Sequence, residues 1–189
     1  MIHLHATRKL FEYLPLNEEN RLPPTAHSQW LFEQPILDIN PLSNWHGHLI
    51  VLQRRNCLLL VHDATRFPVV LPTLHKKDCT ELNAHIADAF LNTLLKCGAD
   101  EKQIQAAQTY LRPIQVDTKV NRSVQGTLNQ MKRDIEHLLW FENVKIAELS
   151  GYSLGQWLAD RPCSVKGQGH LWPQQAMLTL LSRMAGPVA

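Results

Sequence analysis

Between positions 41 and 72 three short apolar runs are separated by polar breaks too brief for anything but tight turns, which predicts three consecutive β-strands at residues 48–53, 57–62 and 67–71. An antiparallel meander of these strands sorts the polar side chains by end. Trp45, His46 and His48 at the entry to the first strand meet His62, Asp63 and Arg66 at the turn between the second and third, whereas Arg54, Arg55 and Asn56 go to the other end. The strands are almost continuously apolar instead of alternating, so both sheet faces need cover. Helices supply it. Asp78-Cys-Thr-Glu81 has the form of a capping box, and Leu82, Ile86, Phe90 and Leu94 follow at helical spacing up to a stop at Gly98. Asp100 caps a second helix to about residue 111, and residues 113–118 read as a further strand. A third helix starts at 121–123 and runs to about 141, with Leu128, Met131, Ile135, Leu138 and Leu139 on one face and Lys132 and Glu136 paired outward.

The flanks are less periodic. Residues 2–7 read as a short strand whose alternation puts His3 and His5 on one face. A helical turn with Leu10, Phe11 and Leu14 follows. Residues 15–40, rich in Pro, Asn and Glu, read as a long surface excursion that Trp30, Leu31, Phe32 and Ile36 return to the core. After 142 come a short helix at 154–160, a Gly-rich loop at 162–169, and a last helix opening at Pro173 and carrying Met177, Leu178, Leu181 and Met184. The expected fold is α+β: a mostly antiparallel central sheet built on the meander, packed by helices. Residues 1–142 form its core domain and 143–189 a helical C-terminal extension packed on that core.

Composition narrows the class without naming it. With 189 residues, 44% hydrophobic and 19% charged, the chain is an ordinary folded domain and far from disorder. A net charge of +2 permits nucleic-acid contact but does not argue for it. The four cysteines, Cys57, Cys79, Cys97 and Cys163, have no CxxC spacing, and the start MIHLHATRKL is too short and polar for a signal peptide, so a cytoplasmic location with reduced thiols is expected. No apolar run approaches a membrane span. No Walker loop and no GxGxxG after a strand is present, and no cofactor is expected. Gly151-Tyr-Ser-Leu-Gly155 has the letters of a nucleophile elbow, which would require residues 144–149 to form a buried strand before it.

Several short motifs together resemble a bacterial family of uncharacterised domains. They are His5-Ala-Thr-Arg-Lys-Leu10, Trp45-His46 with Leu49, the Arg54-Arg55 turn, Asp63-Ala-Thr-Arg-Phe67, and Thr118-Lys-Val-Asn-Arg-Ser123, with a weaker match at 158–162. The family pattern has a cysteine where Ala6 stands and an asparagine where His62 stands. The resemblance implies membership of that group and supplies no reaction.

The candidate chemistry is cationic. Lys119 and Arg122 flank the start of the third helix, where free N–H groups and the helix dipole favour an anion, and Asn121 or Ser123 is the expected N-cap. If that start docks beside Arg66 and His46, the four cationic groups share a pocket suited to a phosphate. The expected partner is therefore a phosphate-bearing ligand, RNA or a nucleotide, held by Arg66, Lys119, Arg122 and Ser123, with Trp45 stacking a base or capping the pocket. His46 and His48 share a strand face and suit general acid and base roles in a metal-independent nuclease reaction. The pairs His3/His5 and His46/His48 also allow a zinc site if their strands are neighbours. A second basic patch is expected where Arg54, Arg55 and Asn56 meet His75, Lys76 and Lys77. The competing class is a non-enzymatic protein–protein interaction module in which Trp45 plugs the sheet, TKVNRS caps a helix and Arg66 pairs with Asp63.

Overall fold

The computed structural model describes residues 1–165 and 169–186. Five strands, β1 (Ile2–Ala6), β2 (Trp45–Leu52), β3 (Arg55–His62), β4 (Pro68–Leu71) and β5 (Ile114–Asp117), make one sheet in the order β4-β3-β2-β1-β5. The helices are α1 (Arg8–Tyr13), α2 (Gln29–Phe32), α3 (Leu82–Lys96), α4 (Glu101–Tyr110), α5 (Arg122–Phe141), α6 (Gly151–Ala159) and α7 (Pro173–Met184). A small hairpin, β6 (Cys163–Val165) with β7 (Gly169–Leu171), stands apart from the main sheet. It occupies the ends of the stretch expected to be a Gly-rich loop, whose centre, 166–168, lies outside the described residues.

The meander is antiparallel as expected, but its first turn is the pair Gln53 and Arg54, so Trp45 lies opposite His62 and Leu52 opposite Arg55, and Arg55 and Asn56, expected in the turn, open β3. The sheet as a whole is mixed, not mostly antiparallel, because β1 runs parallel to both of its neighbours, β2 and β5. A parallel neighbour needs a crossover of a dozen or more residues. Residues 7–44 are that crossover, and 72–113, with α3 and α4, bring the chain back to lay β5 beside β1. Low periodicity made 15–40 look like an excursion, yet the stretch closes a sheet edge. The N–H of Leu22 donates to Ile114 O at 3.1 Å and the N–H of Val116 to Asn20 O at 2.8 Å, giving β5 an outer partner. Leu22 and Leu31 anchor it in the core, whereas Ile36, expected to return inward, is 96% exposed.

Alternation along the strands divides the interior in two. Leu58 and Leu60 face one core with Leu4, Leu10, Phe67, Phe90 and Leu94, while Leu59 and Val61 face the other with Leu128, Met131 and Ile135 of α5 and Leu154 and Leu158 of α6. The C-terminal segment contributes to both, since Met177 and Leu181 of α7 are buried in the first. Gly47 is what lets α1 lie so close to β2: a Cβ there would stand 2.8 Å from Leu10 and 2.9 Å from Leu60.

Two local expectations change. Asp78 does not cap α3; it lies inside a 3-10 turn, Lys76–Glu81, and its carboxylate accepts the His75 N–H at 2.8 Å. The segment before Gly151 is a 3-10 turn, Ile146–Glu148, and Gly151 to Ser153 open α6 with Ser150 as N-cap. That excludes the strand–turn–helix setting of a nucleophile elbow.

Candidate functional site at the head of the long helix

The pairing of β5, β1 and β2 puts Asp117, His5 and His46 in one row on the sheet face that α5 covers. His5 Nδ1–H donates to Asp117 Oδ1 at 2.6 Å. His46 Nδ1–H donates to Asp63 Oδ1 at 2.7 Å, and its Nε2 accepts the Asn121 N–H at 3.0 Å. This bond defines the tautomer, since Nε2 must be bare to accept. The two imidazoles lie with centroids 4.8 Å apart. Two histidine–carboxylate pairs thus stand side by side beneath the connector from β5 to α5.

The same connector is held at its other points. Asp117 Oδ1 also accepts the Lys119 N–H at 2.9 Å, and Asn121 Oδ1 accepts the N–H groups of Ser123 and Val124, making Asn121 the N-cap. Burial alone would raise the Asp117 carboxyl; the bonds from His5 and the Lys119 N–H, with the charges of both, outweigh it and hold the group below its ordinary value.

From the turn between β3 and β4, Arg66 reaches the helix head. Its residue is 6% exposed, Nη2 donates to Ser123 Oγ at 3.1 Å, Nη1 bonds the Asp63 carbonyl, and Nε is buried with no partner among the described residues. Arg66 does not pair with the Asp63 carboxylate, which His46 occupies. Burial lowers the guanidinium from its ordinary value, with Asp63 opposing. Beyond Ser123 opens a groove of about 500 Å³ lined by Arg122, Ser123, Gly126, Thr127, Gln130 and the β6 residues Cys163 and Ser164. Because Arg66 donates to Ser123 Oγ, that hydroxyl keeps its own proton for a third party.

The structure therefore brings Arg66, Arg122, Ser123 and His46 to one helix head and leaves others outside it. Lys119 extends to solvent, 3.7 Å from Asp117. His48 lies two residues along β2, half-buried; burial first, then the charges of Lys132 and Lys9, push its imidazole below the ordinary value. Trp45 points into the opposite core, its indole N–H donating to Leu42 O at 2.6 Å and its ring edge-on to Phe90. His62 is also buried there: Nε2–H faces the carbonyls of Pro41 and Ser43, and Nδ1 accepts from Thr65. Burial dominates its titration and pushes the imidazole down to about 4. Among the described residues no group of three or more His, Cys, Asp or Glu is arranged to hold a metal. His3/His5 and His46/His48 do lie on adjacent strands, but His46 has no nitrogen to spare.

His5, Asp117 and Asn121 are central here and sequence reasoning gave none of them a part in the phosphate pocket. The available signal was the H-x-H spacing at 3–5, which a parallel pairing with β2 turns into a neighbour of His46.

The architecture and this site define the class first: an α+β domain with a mixed five-stranded sheet whose long-helix head is latched to the sheet by paired histidines and carboxylates. Within that class, the chain belongs to the family described as a domain of unknown function (DUF6933), matched over residues 3–176. No curated protein and no solved structure matches it.

Proposed function

We propose that the protein binds a phosphate-bearing ligand, RNA or a nucleotide, in the groove at the head of α5. The observation that carries this reading is the Arg66–Ser123 bond. A buried guanidinium fixes the Ser123 hydroxyl beside the side chain of Arg122, at the positive end of a helix and on the wall of an open groove. Arg122 and Ser123 are the direct contacts in this reading, Arg66 acts through Ser123, and Lys119 attracts the ligand from outside. The four cysteines are all free, which supports the cytoplasmic setting expected for such a ligand. Metal-independent cleavage needs a free imidazole nitrogen at the bound phosphate. His46 has none while its bonds to Asp63 and Asn121 stand, so a nuclease step is not part of the reading.

The test compares the wild type with Arg122→Ala and Ser123→Ala by titration with a short oligoribonucleotide. Arg122→Ala is expected to weaken binding about tenfold and to make it less dependent on salt, with no loss of stability. Unchanged affinity in both variants contradicts the reading. A second reading, a non-enzymatic interaction module, draws support from Trp45 serving as a core plug and Asn121 as a cap. It predicts that no phosphate-bearing ligand binds at all.

A further inference from the structure

The opposite end of the meander carries the denser positive charge. The β2–β3 hairpin turns through Gln53 and Arg54, and the chain leaving β4 passes beside it, the Leu74 N–H donating to Asn56 O at 2.8 Å. Between the two segments lies a concavity of about 210 Å³ lined by Tyr13, Arg54, Arg55, Asn56, His75 and Lys76, among others. A water's share of liquid volume is about 30 Å³, so the space suits one or two phosphate groups.

Three observations make this more than a solvated turn. First, Arg54, Arg55, His75, Lys76 and Lys77 are all exposed, and among the described residues none of them is in an ion pair. The acid on the adjoining 3-10 turn, Asp78, faces the His75 N–H. Four permanent cations, Arg54, Arg55, Lys76 and Lys77, beside one carboxylate repel one another unless an anion joins them. Second, Lys76 is placed, not free: its ammonium bonds the Tyr13 carbonyl and sits 4.6 Å over the Tyr13 ring. Third, the turn has a conformation its residues disfavour. Gln53 and Arg54 have φ of 47° and 65°, the two left-handed positions of a type I′ turn that Asn-Gly ordinarily fills. Gln53 has a structural reason, since its amide accepts the Ile146 N–H at 2.8 Å and donates to Val144 O at 3.0 Å. Arg54 has no such contact among the described residues. Arg54 thus holds a left-handed conformation at the lip of a cationic hollow with no side-chain bond among the described residues to account for it.

We infer that this hollow is a second binding site, for the phosphate groups of an anionic ligand, with Arg54, Arg55 and Lys76 as its cations. It stands apart from the groove at α5 and does not depend on it. Two sources supply such groups, a free pyrophosphate and the backbone of single-stranded RNA.

The test titrates the wild type, the double variant Arg54→Gly/Arg55→Ala and the single variant Arg122→Ala with inorganic pyrophosphate and, separately, with a ten-nucleotide oligoribonucleotide, at several salt concentrations. Thermal midpoints are measured alongside. Among the described residues neither the Arg54 nor the Arg55 side chain makes a hydrogen bond, and glycine accepts the Arg54 backbone, so the midpoint of the double variant is expected not to fall. Its affinity for at least one probe is expected to fall tenfold or more. If RNA is the source, the log–log salt slope becomes shallower by about 1.4, or about 0.7 for each lost contact; if pyrophosphate is, the loss shows with that probe alone. Wild type that binds neither probe, or a double variant that binds both unchanged, overturns the inference. Loss of binding in Arg122→Ala alone leaves the α5 groove standing and removes this site; loss in the double variant alone does the reverse.

Discussion

The two ends of the β2–β3 hairpin are built on opposite principles. At the end where β2 begins, the buried side chains of His5, His46 and Arg66 are each matched to a partner: His46 to Asp63 and Asn121, His5 to Asp117, Arg66 to Ser123. At the other end, Arg54, Arg55, His75 and Lys76 stand exposed and without an ion pair among the described residues, around a strained turn at Gln53 and Arg54. Buried polar groups are costly when unmatched, so the first end must be precise to exist at all. Exposed charges tolerate imprecision and act at a distance through their summed field. A rigid end selects by geometry and a loose one attracts by charge. The α5 groove borrows its geometry from the first kind, and the hairpin hollow is of the second.

The largest expected effect breaks the matched end. His46→Ala removes an imidazole that satisfies both the Asp63 carboxylate and the Asn121 N–H, and should cost about 3–4 kcal/mol in urea unfolding. Arg55→Ala at the other end should change stability by no more than about 0.5 kcal/mol. Equal effects would erase the contrast.

Next comes pH. His62 stays neutral in the fold down to about pH 4, whereas in the unfolded chain it takes up a proton near 6.5. Between those values the unfolded state binds more protons, so stability is fully present above 6.5 and is lost as pH falls toward 4, by on the order of 3 kcal/mol. Denaturant midpoints at pH 7 and pH 4.5 measure it, and His62→Asn should flatten the His62 part of the difference. The last effect has the opposite sign. Arg54→Gly relieves a left-handed arginine and should raise stability by up to about 1 kcal/mol. A decrease would mean that the arginine side chain supports the fold.

What the sequence disclosed depends on how local each cause is. The meander and its sorting of polar ends follow from apolar runs and turn spacing, and Asn121 and Gly98 mark helix ends by their own chemistry. Residues 2–7 and 113–118 were legible as strands, but parallel pairing leaves no local trace, which is why the mixed sheet was not foreseen and why residues 15–40 passed for an excursion. His5 could not be linked to the site without that pairing. That Arg66 would reach Ser123 rather than the Asp63 carboxylate depends on His46 reaching Asp63 first, a competition decided only in three dimensions.

The central claim is that both ends of the hairpin receive phosphate, one by shape and one by charge. Backbone amide shifts of isotope-labelled protein, followed while inorganic pyrophosphate is added, test it most directly. The account predicts saturable movement at residues 53–56 and 74–76 and at 122–127, with the interior of β3 still. Movement at neither set, or uniform small drift over the whole surface, contradicts it.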